Sequence, residues 1–409
     1  MTWLVLNRRP ILHRLAEWFP EDVQNMVVFT DRSALDEASL QQLSRRFRQL
    51  IVTGDYELRS QPEQLERLCT ECGVTRVLTT AERDLVRAAR LRDKFGLPGQ
   101  TVESALAYTN KHIMKSKAAA AGVSVADMRR VACGAELLGF AENHGFPVVV
   151  KPISGSGSVG IAICDDSAAL TRFADAWDGQ RRAGRGDPEL LVEAWVEGDL
   201  YHVDGVMAGG QVVQSWPSWY LTPPLQKLVS GAHVAGGMVR DDHPAFQLLQ
   251  EATARVVGAL PPPPGQHPFH AEFFVSESGQ LSLCEIACRA GGGAIPIAHE
   301  RSFGFNLHHL DLAGHAGRSL PIAARPPRPR HGYAEPAPKS GTLMGAPKSC
   351  PLPQSVYYEL IGQVGRRYAL PQYSNDYVAL VLFTLCGKDM AEELRAVLRW
   401  WESEVDWLT

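Results

Sequence analysis

No run of apolar residues in this 409-residue chain approaches the ~18 that a membrane-crossing helix needs, which argues against a spanning helix. Positive charge is not in excess either. Lys plus Arg number 41 against 45 for Asp plus Glu, a formal net charge of −4, so the electrostatic footprint of a general nucleic-acid binder is missing. Eight cysteines in a chain this long do not make a disulfide scaffold. The only CxxC, Cys69-Thr-Glu-Cys72, has no second pair at zinc-ribbon spacing and reads as the end of a helix closing at Gly73. No internal repeat occurs, nor HExxH, GxxxxGK[ST], HRD or DFG, which removes the common zinc-protease, P-loop and kinase readings. The opening MTWLVLNRRP puts its arginines after a short apolar run, the reverse of a secretory signal, so a cytoplasmic protein is expected. What remains is ordinary globular composition, 45% apolar and 21% charged, in a chain long enough for several domains.

The first hundred residues alternate short apolar runs with amphipathic stretches. TWLVL, MVVFT, QLIVT and TRVLTT read as buried strands of a parallel sheet, with helical spacing between them. Residues 1–98 are therefore expected to form an open parallel α/β domain, without the GxGxxG that would mark a dinucleotide site. One helix is expected through SALAYTNKHIMKSKAAAAGV, stopped by Gly122. Strands and helices then alternate to about residue 316. Residues 319–340 are rich in Pro and Arg and read as an irregular connector, and 341–409 as a small C-terminal α+β tail.

The strongest local signal is Lys151-Pro-Ile-Ser-Gly155-Ser-Gly157-Ser-Val-Gly160. A dinucleotide fingerprint needs its third glycine to open a helix, but here Gly160 opens another strand, IAIC. The string fits a flexible flap between two antiparallel strands, with a lysine ending the first. Backbone N–H groups of such a flap can cover phosphate oxygens while Lys151 supplies a point charge. A glycine-rich hairpin with a surface lysine satisfies the same string.

Two further segments carry candidate chemistry. Glu272 and Glu285 lie 13 residues apart on HAEFFV and LSLCEIA, joined by ESGQ, and a hairpin of that length can bring both carboxylates to one face. Alternation could equally turn both to solvent. Arg289 follows four residues later, then Gly291 to Gly293. Histidines offer a rival metal set in His270 and Glu272, His299 and Glu300, and His308, His309 and Asp311, where packing is the competing role. SWPSWYLTPPLQK concentrates Trp216, Trp219 and Tyr220 between prolines, as a cleft lining, a lid or a structural loop. Lys227, His233 and Arg240 follow, any of which could meet a substrate carboxylate.

In order along the chain, TNKHIMKSKAAAAGV, KPISGSGSVGI, LLVEAWVEGDLYHVDGV and HAEFFVSESGQLSLCEIACRAGGG resemble the motifs of the ATP-grasp superfamily over roughly residues 100–310. The flanking segments resemble those of its carboxylate–amine ligases, such as bacterial L-amino-acid ligases and carnosine synthase. The resemblance implies an ATP-grasp domain over 99–318, with a small lid subdomain at about 125–192. It implies ATP held by Lys111, Lys151, Ser154, Gly155, Gly157 and Ser158, with adenine against Glu193, Ala194 and Val196 and ribose on Asp199, or alternatively Glu197. It also implies one or two Mg²⁺ ions on Glu272 and Glu285, with Mn²⁺ able to substitute, and Arg289 on the reacting groups. The family string Glu-x-Asn-x-Arg is here Glu285-Ile-Ala287-Cys288-Arg289, and Ala287 cannot coordinate a metal. The function so implied joins a carboxylate, an amino acid, to an amine through an acyl-phosphate. The partners are small molecules, with neither nucleic acid nor membrane, and a homodimer is a common assembly of such ligases. The competing functions are another ATP-grasp enzyme, a carboxylase or a ligase of nucleotide metabolism, and an inactive ATP-binding sensor.

Overall fold

A computed structural model describes residues 1–35, 37–54, 56, 61–322 and 329–409. Four parallel strands open the chain: β1 (Thr2–Asn7), β2 (Met26–Asp31), β3 (Gln49–Thr53) and β4 (Val74–Thr79), in the order β3-β2-β1-β4. β1 is buried at all six positions, as expected of a strand with helices on both faces. The C-terminal ends of such strands are where ligands meet an open α/β sheet. Here the turns after β1, β2 and β4 all face one large cleft.

The helix expected through TNKHIMK is two helices, Val102–Ala107 and Lys111–Ala120. Asn110 makes the break, because its side chain accepts from the Ile113 N–H at 3.0 Å and caps the second helix. Lys111 thereby becomes the first residue of a helix rather than a point along one.

The segment expected as a lid holds a second four-stranded sheet of β5 (Met128–Val131), β6 (Val148–Pro152), β7 (Ala162–Cys164) and β8 (Leu190–Ala194), ordered β5-β8-β6-β7 and wholly antiparallel. The glycine string joins β6 to β7. Helices Gly134–His144 and Ser167–Arg182 cover one face through Leu137, Phe140, Leu170 and Trp177.

The central sheet begins with β9 (Asp199–Ala208), β10 (Gln211–Thr222), β11 (Val234–Met238), β12 (Gln266–Val275) and β13 (Leu281–Ala287). Trp216, Trp219 and Tyr220 sit on β10, so their segment is a strand rather than a loop or lid. Alternation on β12 sorts its side chains: Phe269, Ala271 and Phe273 are fully buried against helix Phe246–Ala259, while His270, Glu272 and Phe274 line the cleft.

The end of the chain departs from the sequence expectation. It adds β14 (Arg330–Glu335), β15 (Gly341–Gly345), β16 (Ser355–Leu360), β17 (Arg367–Tyr368), β18 (Ala379–Leu385) and β19 (Asp406–Leu408). β14 falls inside the expected connector, part of which, residues 323–328, lies outside the described residues. Nor is the tail a free-standing unit. The central sheet runs β13-β12-β9-β10-β11-β14-β18-β16, while β17-β15-β19 form a small sheet of their own. The reason lies in ALVLFTL, buried at six of seven positions, which needs a partner on each edge and finds β14 and β16.

Helix Leu307–His315 presses on β12 at Gly314, where an added Cβ would stand 2.0 Å from the Gln266 carbonyl oxygen. Gly314→Ala is expected to destabilise the fold by about 1–3 kcal/mol through overpacking. A lower urea midpoint, measured beside the parent protein, checks this.

Candidate active site

The N-terminal, second and central sheets meet around a cleft of about 740 Å³. On its floor, Glu272 of β12 and Glu285 of β13 are direct cross-strand partners. A register shift follows Glu272, so that Phe273 pairs with Leu283 and Cys284 is the extra residue. Such a bulge re-aims side chains, and both glutamates line the cleft rather than bulk solvent. Burial alone would raise the Glu285 carboxyl, but Lys111 and then Lys151 outweigh it and hold it at about 2. The Lys111 Nζ is 3.1 Å from Glu285 Oε2 and donates to the Gly155 carbonyl at 2.8 Å. The backbone N–H of Lys111 donates to the Ile153 carbonyl at 2.8 Å. One lysine therefore ties the glycine flap to the carboxylates beneath it.

A second cluster lies behind the flap. Glu193 Oε1 is 2.6 Å from the Lys115 Nζ, and its Oε2 is 2.7 Å from the Lys151 Nζ. All three side chains are buried, two cations on one anion. Burial lowers the Lys115 pKa and the nearby Lys151 lowers it further. Lys151 is raised instead, burial being overcome by Glu193. Glu193 is held low against burial by Lys151 and Lys115. The surplus positive charge favours an anion at this end of the cleft.

The remaining candidates divide. Gly155, Gly157 and Ser158 line the cleft with Lys111 and Lys151, and among the described residues Ser158 is the only non-glycine one with a positive φ, +59°. Ser154 is exposed and bridges to Asn110 outside the lining. Glu193, Ala194, Val196 and Asp199 also lie outside it, where β8 passes into β9. The Glu193 carboxylate is engaged by the two lysines, the Ala194 N–H by the Asp127 carbonyl at 2.9 Å, and Asp199 is exposed.

Arg289 lines the cleft, with its Nη2 and Nε 2.8 and 3.1 Å from Glu82 Oε2 and its Nη1 donating to the Ala290 carbonyl at 2.8 Å. Glu82 stands in the first turn of the helix after β4, so the N-terminal domain aims this guanidinium. Gly293, φ +54°, lets Glu335 come close, since a Cβ there would sit 1.8 Å from Glu335 Oε1. That oxygen accepts from the Ala294 N–H at 2.8 Å, and burial raises the Glu335 carboxyl. The far wall is the 373–377 loop. The Ser374 N–H donates to the Gly157 carbonyl at 3.2 Å, and the Ser374 carbonyl accepts from the buried Lys227 Nζ at 2.6 Å.

Sequence reasoning missed Lys115, Glu82, Glu335 and a buried relay below Glu272. In that relay Asp204 accepts from His202 at 2.5 Å and from His270 at 2.9 Å, and Glu272 Oε1 lies 3.4 Å from His270 Nε2 and 3.3 Å from the Tyr220 hydroxyl. Asp204 outweighs burial and lifts His270 to about 10, so this imidazole is a donor rather than a free metal ligand. His299 and His308 are buried and pushed low by desolvation, which suits packing. Only Lys115 had a local signal, one helical turn beyond Lys111.

The donor set suits a polyphosphate with a hard cation: opposed carboxylates, a flap of backbone groups and a surplus of lysine charge. Residues 144–297 match the family described as the ATP-grasp domain. The whole chain superposes on L-amino acid ligase from Bacillus licheniformis with a TM-score of 0.72 at 17% identity, covering 100% of this chain and 99% of that one. This chain carries an ATP-grasp domain. A second neighbour in fold is the biotin carboxylase domain of Hydrogenobacter thermophilus 2-oxoglutarate carboxylase, solved with MgADP and bicarbonate (TM-score 0.70, 18% identity, covering 100% and 91%). Among curated sequences, the L-arginine-specific L-amino acid ligase of Bacillus subtilis is 28% identical over 65% of this chain and 64% of its own length. Dapdiamide A synthase of Enterobacter agglomerans is 28% identical over 49% and 47%. The matches thus span less than two thirds of the curated relatives. Among the described residues no helix is long and apolar enough to cross a membrane.

Glu193→Ala leaves two buried ammonium groups uncompensated in the ATP-grasp lid, and is expected to cost about 3–5 kcal/mol of stability. Thermal unfolding with and without ATP checks this: the nucleotide is expected to stabilise the variant, through phosphate charge that replaces part of the lost anion.

Proposed function

We propose that this protein is an ATP-dependent ligase that forms an amide bond between a carboxylate, an amino acid, and an amine, releasing ADP and phosphate. The observation that carries the reading is Lys111, bonded at once to the flap carbonyl of Gly155 and to Glu285. A group bridging those two supports a reading in which the flap, the lysines and the paired glutamates share one triphosphate. The amide-forming ligases among its relatives support the same class of reaction.

In this reading Lys111, Lys151 and the 154–160 flap hold the phosphates, and adenine lies along Glu193 to Val196 with ribose at Asp199. Glu272 and Glu285 hold one or two Mg²⁺ ions, Mn²⁺ being able to substitute, and the metal supplies charge neutralisation on the phosphates. The acid's carboxylate oxygen attacks the γ-phosphorus and ADP departs, leaving an acyl-phosphate. The amine adds to the acyl carbon and phosphate departs. Arg289, fixed by Glu82, faces the carboxylate and then the tetrahedral oxyanion. No covalent enzyme nucleophile is required. Burial pushes the Cys284 thiol up to about 12, and Cys288 is buried in the core. The protein works in the cytoplasm, as a homodimer.

Ala287 favours a second reading, a nucleotide sensor without turnover, because it offers no ligand to a second metal. One assay separates the two. With ATP, Mg²⁺ and pairs of amino acids, phosphate release coupled to a new amide supports the ligase, whereas tight ATP binding with no release across a broad panel supports the sensor. AMP as product overturns the acyl-phosphate route. Lys151→Ala and Glu285→Ala are each expected to lower turnover by roughly 100- to 1,000-fold with the fold intact.

A further inference from the structure

Arg9 lines the cleft just past the C-terminal end of β1, and it is placed with care. The buried Asn7 clamps its backbone from both sides, accepting from the Arg9 N–H at 3.3 Å and donating to the Arg9 carbonyl at 2.9 Å. Asn7 also donates to the Thr30 hydroxyl at 2.9 Å, which locks the clamp to β2. Among the described residues the guanidinium itself makes one hydrogen bond, Nε to the Thr80 carbonyl at 3.3 Å. No carboxylate among the described residues pairs with it.

Its neighbours are paired. Arg8 meets Asp84 at 3.2 Å, and Arg289 has Glu82. Arg9 has instead a like charge close by: desolvation, and after it the repulsion of Arg289, lower its pKa to about 10, still charged at neutral pH. Tyr377, Asp311 and Glu82 act on it in the opposite sense, but among the described residues none of them bonds it, so the guanidinium keeps unused hydrogen-bonding capacity. A guanidinium is built to grip a carboxylate through two parallel bonds, and here that anion is left for a ligand to supply.

Which anion follows from charge and from the proposed reaction, on which this inference rests. The triphosphate is taken by the lysines at the other end of the cleft, and the reacting carboxylate of the acid faces Arg289. When two amino acids are joined, the donor keeps an amino group and, unless its side chain is acidic, has no second anion to offer. The acceptor keeps its own carboxylate. We propose that Arg9 binds the unreacting carboxylate of the amine substrate, and so selects an α-amino acid with a free carboxylate over a simple amine. Glu335 and Tyr377 line the same cleft as Arg9, so polar side chains of a second kind stand there for an amino acid that enters.

The test compares an acceptor amino acid with its α-carboxamide, in the wild type, Arg9→Gln and Arg9→Lys. The wild type is expected to favour the free acid by roughly ten- to a hundredfold in kcat/KM, the range of a charged hydrogen-bonded pair. Arg9→Gln is expected to lose that preference through KM for the amine substrate, with KM for ATP unchanged, and Arg9→Lys to retain part of it. A second readout needs no turnover: calorimetric titration of the amino acid into the ADP–Mg²⁺ complex should give binding that Arg9→Gln abolishes and the carboxamide lacks. Equal preference in wild type and Arg9→Gln overturns the proposal, as does a loss confined to the acid substrate, or equal binding to both proteins. Absence of phosphate release with every pair counts against the ligase reading alone, since the titration still decides the role of Arg9.

Discussion

Burying three charges where the lid meets the rest of the molecule is the constraint on which the site depends. Lys115 comes from the helix packed under β13, Lys151 from β6 and Glu193 from β8. A lone ammonium could not stay in such surroundings, and it would shed its proton or pull in water. Glu193 makes both lysines tolerable, and in doing so it fastens the lid sheet to a helix that starts at Lys111. The position of Lys111 over Glu285 follows from this anchorage and from the cap at Asn110.

Much of the arrangement could be read from sequence where local periodicity decides it. The four parallel strands are continuous apolar runs, and burial on both faces is what such runs require. The glycine string reads as joining two strands, because IAIC, directly after Gly160, is a short apolar run without helical spacing. The two glutamates were legible as a pair but not as a facing pair, since a bulge at Cys284 sets their register and no residue type announces a bulge.

What stayed hidden was decided at long range. Glu82 reaches Arg289 across 207 positions of sequence, and no local pattern marks it. The break at Asn110 was overlooked because its neighbours are good helix formers, while its cap competes with helix continuation. The connector expected over 319–340 hides a strand for a related reason. β14 carries Gly332 and His331 and follows a proline-rich stretch, so composition argued for a connector, yet pairing with β11 and β18 outweighed that local preference.

The stretch matching the family is not a portable cassette. Residues 144–297 contain the flap, the paired glutamates and Arg289, yet they lack Lys111 and Lys115 on one side and Glu335 and the 373–377 loop on the other. Ser374 closes the ring, joined to the flap at Gly157 and to Lys227. Grafting that middle portion into another scaffold would transplant a jaw without its hinge or its opposing wall.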